Sequence, residues 1–141
     1  MATSATAVAA PNRGLHFALW GVQILLALAF GMAGVMKTTT PIADLAKNMS
    51  WVAQLPNLVR FIGASEFLGA VGLILPSALR IMPRLSGVAG AALTLVMVLA
   101  AGYHVMQHDP FSLMVPSLVL GALSAFVAWG RLAGAPIAPR A

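Results

Sequence analysis

The chain has 141 residues, of which 60% are hydrophobic and only 8% are charged, whereas about 25% of the residues of a soluble domain are charged. A soluble protein of this length could not bury so much apolar surface. The composition therefore excludes a soluble nucleotide-binding domain, a nucleic-acid enzyme and a secreted disulfide scaffold. Because the chain has no cysteine, it cannot by itself perform thiol, disulfide or iron–sulfur chemistry.

Four apolar blocks predict four transmembrane helices, over residues 15–36, 58–79, 85–106 and 111–130. At a rise of about 1.5 Å per residue, each block crosses a hydrocarbon core of about 30 Å. The first block exceeds the apolar region of a secretory signal, so we interpret it as a retained helix. We expect an all-α integral membrane four-helix bundle over residues 15–131, a disordered cytoplasmic tail over residues 1–14 and a short C-terminal tail over residues 132–141.

The connection between the first two helices also has helical periodicity. Its apolar residues Ile42, Leu45, Met49 and Val52 are spaced three or four apart, with polar residues between them. This pattern predicts a short interfacial helix over residues 42–52, with Trp51 at the level of the lipid headgroups. A plain ordered loop is the alternative.

Local signals predict where the helices begin and end. Asn57 and Asp109 are expected to be the N-caps of the second and fourth helices, with Pro110 at the first helical position. Pro83 starts the third helix in the same way. Pro76 is expected to end or kink the second helix.

Basic residues are distributed unequally between the two ends of such a bundle. One end, which we call the arginine end, holds both termini and the middle connection, with Arg13, Arg80, Arg84, Arg131 and Arg140. The opposite end, the loop end, holds Lys37, Lys47 and Arg60 together with Asp44 and Asp109. The positive-inside rule then places the arginine end and both termini in the cytoplasm, with the protein in the inner (plasma) membrane. The net charge of +5 is too small to indicate a nucleic-acid partner.

Small residues recur at helical spacing on three of the helices: Ala27 and Gly31, Ser65 and Gly69, and Ser86, Gly90 and Thr94. Such residues allow helix backbones to approach closely in a membrane. We expect them to hold the bundle together, and a homo-oligomer interface is the alternative.

Glu66 is the strongest chemical signal in the sequence. It lies about 13 Å beyond the predicted start of the second helix, among apolar residues. A carboxylate at that depth is expected to take up a proton or to pair with a cation. Lys37 and His104 approach from other helices in the same half of the membrane, whereas Gln23 lies far away in the first helix.

These observations predict a polar cluster of Lys37, Glu66 and His104, with Arg60 nearby, that binds a small ligand. The expected pocket is lined by Phe30, Gly34 and Lys37, by Gly63, Glu66 and Ala70, and by Met97, Ala101 and His104. Each charged residue also has a structural interpretation: Lys37 and Arg60 as side chains extending to the headgroups, Glu66 and His104 as ties between helices, and the small residues as packing contacts.

A zinc site of His104, His108 and Glu66 is an alternative for the same region, because His104 and His108 are four residues apart. Asp109 and Pro110 are expected to end the third helix near Gln107 and to direct His108 away. No metal is therefore predicted.

Several segments resemble the DoxX-like family of small four-helix membrane proteins. They are residues 34–37 (GVMK), 51–56 (WVAQLP), 61–76 (FIGASEFLGAVGLILP), His104 and residues 128–131 (AWGR). The spacing Glu66-x-x-Gly69-x-x-Gly72 is the most specific of these, and the resemblance covers about residues 15–131. Lys37, Glu66 and His104 are the polar positions that match.

The resemblance implies a membrane subunit or accessory of a redox system that passes electrons to quinone. The cluster of Lys37, Glu66 and His104 would then bind a quinone headgroup or a small anion, with quinone as the candidate cofactor and a redox protein as the candidate partner. The sequence contains no flavin or dinucleotide motif and no self-sufficient catalytic motif, so electrons would have to reach a bound quinone from that partner. The alternative is a non-catalytic membrane anchor, scaffold or carrier of a small hydrophobic molecule.

Overall fold

The computed structural model describes residues 12–141, which form four long helices and no strands. In chain order the helices are α1 (Arg13–Thr39), a short α2 (Ile42–Leu45), α3 (Pro56–Leu79), α4 (Arg84–Met106) and α5 (Phe111–Trp129), and a π-helical turn (Gly130–Gly134) continues α5. By length and composition, α1, α3, α4 and α5 with its π-helical turn can each cross a membrane. The predicted all-α membrane bundle is confirmed.

The four long helices pack as two neighbouring pairs. α1 lies mainly against α3 and α4 mainly against α5, while contacts between α3 and α4 join the pairs. Side chains from all four helices form the core, including Leu19, Phe30, Leu73, Leu93 and Val127. Many large apolar side chains point outward instead, as expected for a bundle surrounded by lipid.

Glycines mark the places where the helix backbones approach most closely. A Cβ atom on Gly34 of α1 would lie 2.7 Å from the carbonyl oxygen of Gly63 in α3. A Cβ atom on Gly90 of α4 would lie 2.9 Å from the carbonyl oxygen of Ser124 in α5. The predicted use of small residues to hold the bundle together is confirmed at Gly90, since any larger side chain would separate α4 from α5.

The connection between α1 and α3 differs from the single interfacial helix predicted over residues 42–52. It consists of α2, a turn, and a 3-10 helix over Ser50–Ala53. Leu45 and Val52 pack against Val59 of α3 in a small second core, which Trp51 partly covers. A helix as short as α2 gains few backbone hydrogen bonds. The packing contacts with Val59 therefore determine where the helical turns of this connection lie.

The predicted start of α3 is wrong, whereas its end at Leu79 is as predicted. Pro56, and not Asn57, begins the helix, and Leu55 occupies the N-cap position. Proline suits the first helical position because the backbone N–H that it lacks would have no partner there. Of the two effects expected of Pro76, the ending does not occur, since α3 continues to Leu79. Interior prolines are tolerated in membrane helices, where other contacts can satisfy the freed carbonyl.

The described parts of both terminal segments contact the rest of the bundle or extend its helices. Arg13 already belongs to α1, and the Asn12 side chain caps it; residues 1–11 of the predicted disordered tail lie outside the described part of the chain. The C-terminal segment folds back onto the connection between α3 and α4. There, Arg80 Nε donates to the carbonyl of Ala138 at 3.0 Å, and the backbone N–H of Arg140 donates to the carbonyl of Arg80 at 2.9 Å.

Candidate functional site

Lys37 and Glu66 form an ion pair between α1 and α3. Lys37 Nζ donates to both carboxylate oxygens of Glu66, each at 2.7 Å. The Glu66 side chain is only 2% exposed and the Lys37 side chain 16% exposed. The prediction that Glu66 pairs with Lys37 or His104 is therefore confirmed for Lys37. The carboxylate is enclosed, and the pair is accessible only from the lysine side.

Arg60 lies next to this pair but contacts the backbone of α1. Its guanidinium donates to the carbonyl oxygens of Lys37 at 2.6 Å and of Thr40 at 2.8 Å. Carbonyls in the last turn of a helix lack partners within it, and a cation there also interacts favourably with the helix dipole. Arg60 thus caps the C-terminus of α1 and fixes the segment that carries Lys37.

His104 pairs with Asp109 and not with Glu66. Its Nδ1 donates to Asp109 Oδ2 at 2.8 Å, and both side chains are about a third exposed. The prediction that Asp109 caps the fourth helix is wrong, because Pro110 occupies that position. The left-handed backbone at His108, with a φ of 56°, reverses the chain and brings the carboxylate back to the ring. The predicted cluster is therefore two separate pairs at the loop end, the Lys37–Glu66 ion pair and the hydrogen-bonded His104 and Asp109.

An aromatic contact lies beside the second pair. The ring centroids of Trp51 and Tyr103 are 5.9 Å apart, and those of Tyr103 and His104 are 6.0 Å apart. His108 is exposed, and residues 12–141 contain no group of three side chains placed to hold a metal ion.

The open space predicted beside Gly63 is occupied by a helix contact. A Cβ atom on Gly63 would lie 2.6 Å from the Lys37 Cβ atom and 3.1 Å from the Gly34 carbonyl oxygen. Two of the predicted lining residues, Phe30 and Met97, belong to the core. The glycines thus serve close packing because they face each other, a relation between helices that the periodicity of one helix does not reveal.

Cavities lie elsewhere in the described part of the bundle. One is an apolar groove of about 380 Å³ between α3 and α4, lined among others by Ser65, Gly69 and Leu93. Another is a cavity of about 600 Å³ at the arginine end, between the start of α1, the end of α3 and the C-terminal segment.

Arg131 is the functional candidate that the sequence did not predict. It was placed among the surface arginines, but its residue exposure is 1%. Its Nε donates to Gln23 Oε1 at 2.6 Å, and Gln23 Nε2 donates in turn to the carbonyl of Leu73. The sequence feature that could have indicated a buried partner such as Arg131 is Gln23, since an amide in the middle of an apolar helix needs a hydrogen-bond partner.

The rest of the Arg131 guanidinium is also surrounded by protein. It lies 5.4 Å from the centre of the Trp20 ring, and Nη1 is 3.2 Å from the carbonyl of Ala135 and 3.3 Å from His16 Nδ1. The Nη2 atom is buried without a hydrogen-bond partner in residues 12–141. No carboxylate of the described chain pairs with this cation.

The chain matches a known protein family. A model of the DoxX-like family matches residues 21–127, which include Lys37, Arg60, Glu66 and His104. No curated protein and no solved structure matches the chain.

Proposed function

Since the chain belongs to the DoxX-like family, we propose that it is a membrane subunit of a quinone-linked redox system in which Lys37 and Glu66 bind the quinone headgroup. The observation that supports this proposal is the enclosed carboxylate of Glu66, 2% exposed, in a membrane-spanning helix. Ionisable side chains at that depth are costly and commonly mark a site of ligand binding or proton transfer.

The chemistry of the pair fits a headgroup ligand. A lysine ammonium has three N–H groups, and two of those of Lys37 go to Glu66. The third can donate to a quinone carbonyl oxygen or to a small anion that approaches from the exposed side of Lys37. Glu66 can hold a proton next to the same position. Arg60 keeps the end of α1 in place through its two carbonyl contacts.

A bound quinone would supply the electron-accepting chemistry, which protein side chains lack. The residues of this chain would bind and orient the headgroup and hold a proton at the Glu66 carboxylate. Electrons would come from a redox partner protein, because the sequence has no cysteine and no flavin or dinucleotide motif.

We expect Glu66→Gln and Lys37→Gln to weaken binding of a short-chain benzoquinone at least tenfold, about 1.4 kcal/mol. Each variant removes one charge of the pair and therefore changes the position and number of donors at the headgroup. Binding is measured as a ligand-dependent rise in melting temperature of the purified protein in mild detergent, together with mass spectrometry of quinones extracted from it.

Asp44→Asn is the matched control, because it removes an exposed acid whose partner, Lys47, is also exposed and at the same end. It should bind the quinone like the wild type. Equal quinone binding by wild type and Glu66→Gln would contradict the assigned site, and a folded wild-type protein that binds no quinone would contradict the redox function.

A non-catalytic carrier or scaffold is the second candidate. The Gly34–Gly63 contact beside the ion pair favours a purely structural tie between α1 and α3, and the groove between α3 and α4 is lined almost entirely by apolar residues. If this candidate is correct, the double variant Lys37→Met/Glu66→Leu folds and retains the same co-purifying hydrophobic molecule as the wild type.

We also propose that the arginine end faces the cytoplasm of the cell and that the protein lies in the inner membrane. Although Arg131 is buried, four other arginines at this end are exposed: Arg13, Arg80, Arg84 and Arg140. At the loop end, Lys37 and Arg60 are partly buried and engaged, and Lys47 is paired with Asp44 at 2.6 Å. Exposed positive charge is thus concentrated at the arginine end, as the positive-inside rule requires of a cytoplasmic face.

Single cysteines introduced at Ser50 and at Ala141 test this orientation without background labelling, because the chain has no cysteine. A membrane-impermeant thiol reagent added to intact cells is expected to label Ser50→Cys, and to label Ala141→Cys only after the cells are permeabilised. Labelling of Ala141→Cys alone in intact cells would reverse the orientation.

A further inference from the structure

The cavity at the arginine end combines basic and apolar walls. Its volume is about 600 Å³, within the usual range for small-molecule sites. Arg13 and His16 from the first turns of α1 and Arg80 from the end of α3 line one part of it. Phe17 and Trp20 from α1, together with Ile137 of the C-terminal segment, are among its apolar lining residues.

The positive charge around this cavity has no counter-charge from acidic side chains. The sequence has three acidic residues, and each pairs with a base in or near the loop end: Asp44 with Lys47, Glu66 with Lys37, and Asp109 with His104. The arginine end therefore carries its arginines without a single carboxylate side chain. A concave surface with one sign of charge attracts ligands of the opposite sign.

Arg131 adds a buried charge directly behind the cavity. Its guanidinium contacts two of the lining residues, the ring of Trp20 at 5.4 Å and His16 Nδ1 at 3.3 Å. A buried guanidinium with one nitrogen unpartnered within residues 12–141 is costly to maintain unless an anion is nearby.

We propose that this cavity binds the phosphate group of an anionic amphiphile, with the phosphate at Arg13, His16 and Arg80 and the apolar part against Phe17 and Trp20. Guanidinium groups suit phosphate because they present several N–H donors in one plane. The cavity lies where α1 begins and α3 ends, which is headgroup level for helices that span the bilayer, and basic pockets between membrane helices bind anionic headgroups.

Two arginines that line the cavity keep N–H groups available to hydrogen-bond a ligand. Arg13 is exposed and forms no side-chain hydrogen bond with the described part of the chain. Arg80 uses Nε and Nη2 to hold the carbonyls of Ala138 and Pro139, which positions the C-terminal segment as a wall, while Nη1 stays available to a ligand. The same phosphate chemistry occurs in membrane lipids and in soluble phosphates, so the experiment compares the two sources.

The test measures the concentration of half-saturation from the rise in melting temperature of the purified full chain in a non-ionic detergent. The probes are dihexanoyl phosphatidylglycerol, dihexanoyl phosphatidylcholine and inorganic phosphate. We expect phosphatidylglycerol to bind the wild type at least tenfold more tightly than phosphatidylcholine does. Arg13→Gln should weaken that binding at least tenfold, and so should Ala78→Phe, which fills the cavity from an exposed lining position without changing the charge.

Arg84→Gln is the matched control, because Arg84 is an exposed arginine of the same end that does not line the cavity. It should keep the wild-type affinity. If inorganic phosphate saturates the protein at the same concentration as phosphatidylglycerol, and Arg13→Gln weakens both, the phosphate site is upheld with a soluble phosphate as its ligand, and the proposed contact of an apolar part with Phe17 and Trp20 is wrong. If Arg84→Gln weakens binding as much as Arg13→Gln, or if both phospholipids bind equally, the effect belongs to surface charge or to detergent mixing and the proposal is wrong.

Discussion

Replacing Gln23 with leucine is expected to lower the free energy of unfolding by about 3 kcal/mol, because a buried polar group that loses its hydrogen-bond partner costs about 1–3 kcal/mol and a charged group costs more. Gln23 is fully buried and accepts from Arg131 Nε at 2.6 Å. Leucine would leave a second nitrogen of that guanidinium without a partner, and would also remove the hydrogen bond from Gln23 to the carbonyl of Leu73. Unfolding by sodium dodecyl sulfate in mixed micelles, followed by tryptophan fluorescence, measures the loss.

The double variant Gln23→Leu/Arg131→Met is expected to recover most of this stability, because it removes the charge together with its partner. Ser124→Ala serves as a control for the removal of a buried polar group that has no hydrogen bond in the described chain; it should be neutral or stabilising by about 1 kcal/mol. A double variant as unstable as Gln23→Leu would show that Arg131 contributes through packing or a bound ligand, and not through the amide.

Replacing Gly34 with leucine is expected to destabilise the protein by at least about 3 kcal/mol, at the upper end of overpacking effects. Even a Cβ atom there would lie 2.7 Å from both the Gly63 carbonyl oxygen and the Phe67 backbone nitrogen. Backbone atoms cannot move aside as a flexible side chain can, so α1 must separate from α3. The same detergent-unfolding measurement applies, and loss of the Lys37–Glu66 contact should accompany the separation.

Gly21→Leu is the control in the same helix. A Cβ atom on Gly21 meets nothing within 4 Å, so its side chain would extend outward, and removal of a helical glycine should stabilise α1 by up to about 1 kcal/mol. If Gly34→Leu and Gly21→Leu have similar stabilities, the close approach of α1 and α3 is not maintained in the membrane protein.

The spans could be predicted from the sequence because lipid imposes a simple requirement. A run of about 20 apolar residues is visible without knowledge of its neighbours, and α4 begins within one residue of its predicted start. The pairing of Glu66 with Lys37 was predictable for the same reason, since few cations share its depth. The N-caps predicted at Asn57 and Asp109 were wrong for two reasons. The neighbouring prolines determine where each helix begins, and the Asp109 side chain pairs with His104 instead of capping the helix.

The predictions for Gly63 and Arg131 were wrong because both depend on contacts between helices. Gly63 looked like open space because glycine is small, whereas the facing Gly34 uses that space for backbone contact. Arg131 looked like a surface charge because it follows the last apolar block, yet Gln23 on another helix draws it inward. Helical periodicity tells which residues share a face, but it does not tell what that face meets.

The pairing of α1 with α3 and of α4 with α5 has a consequence for biogenesis. Each pair consists of consecutive spans, so the first is synthesised whole before the second leaves the ribosome, and it already contains both members of its buried Lys37–Glu66 contact. Arg131 is the last buried charge to emerge, and both Gln23 and Leu73 belong to the earlier pair. The hydrogen bond from Arg131 to Gln23 can form only when the second pair docks onto the first, so we expect each pair to form before the two pairs associate.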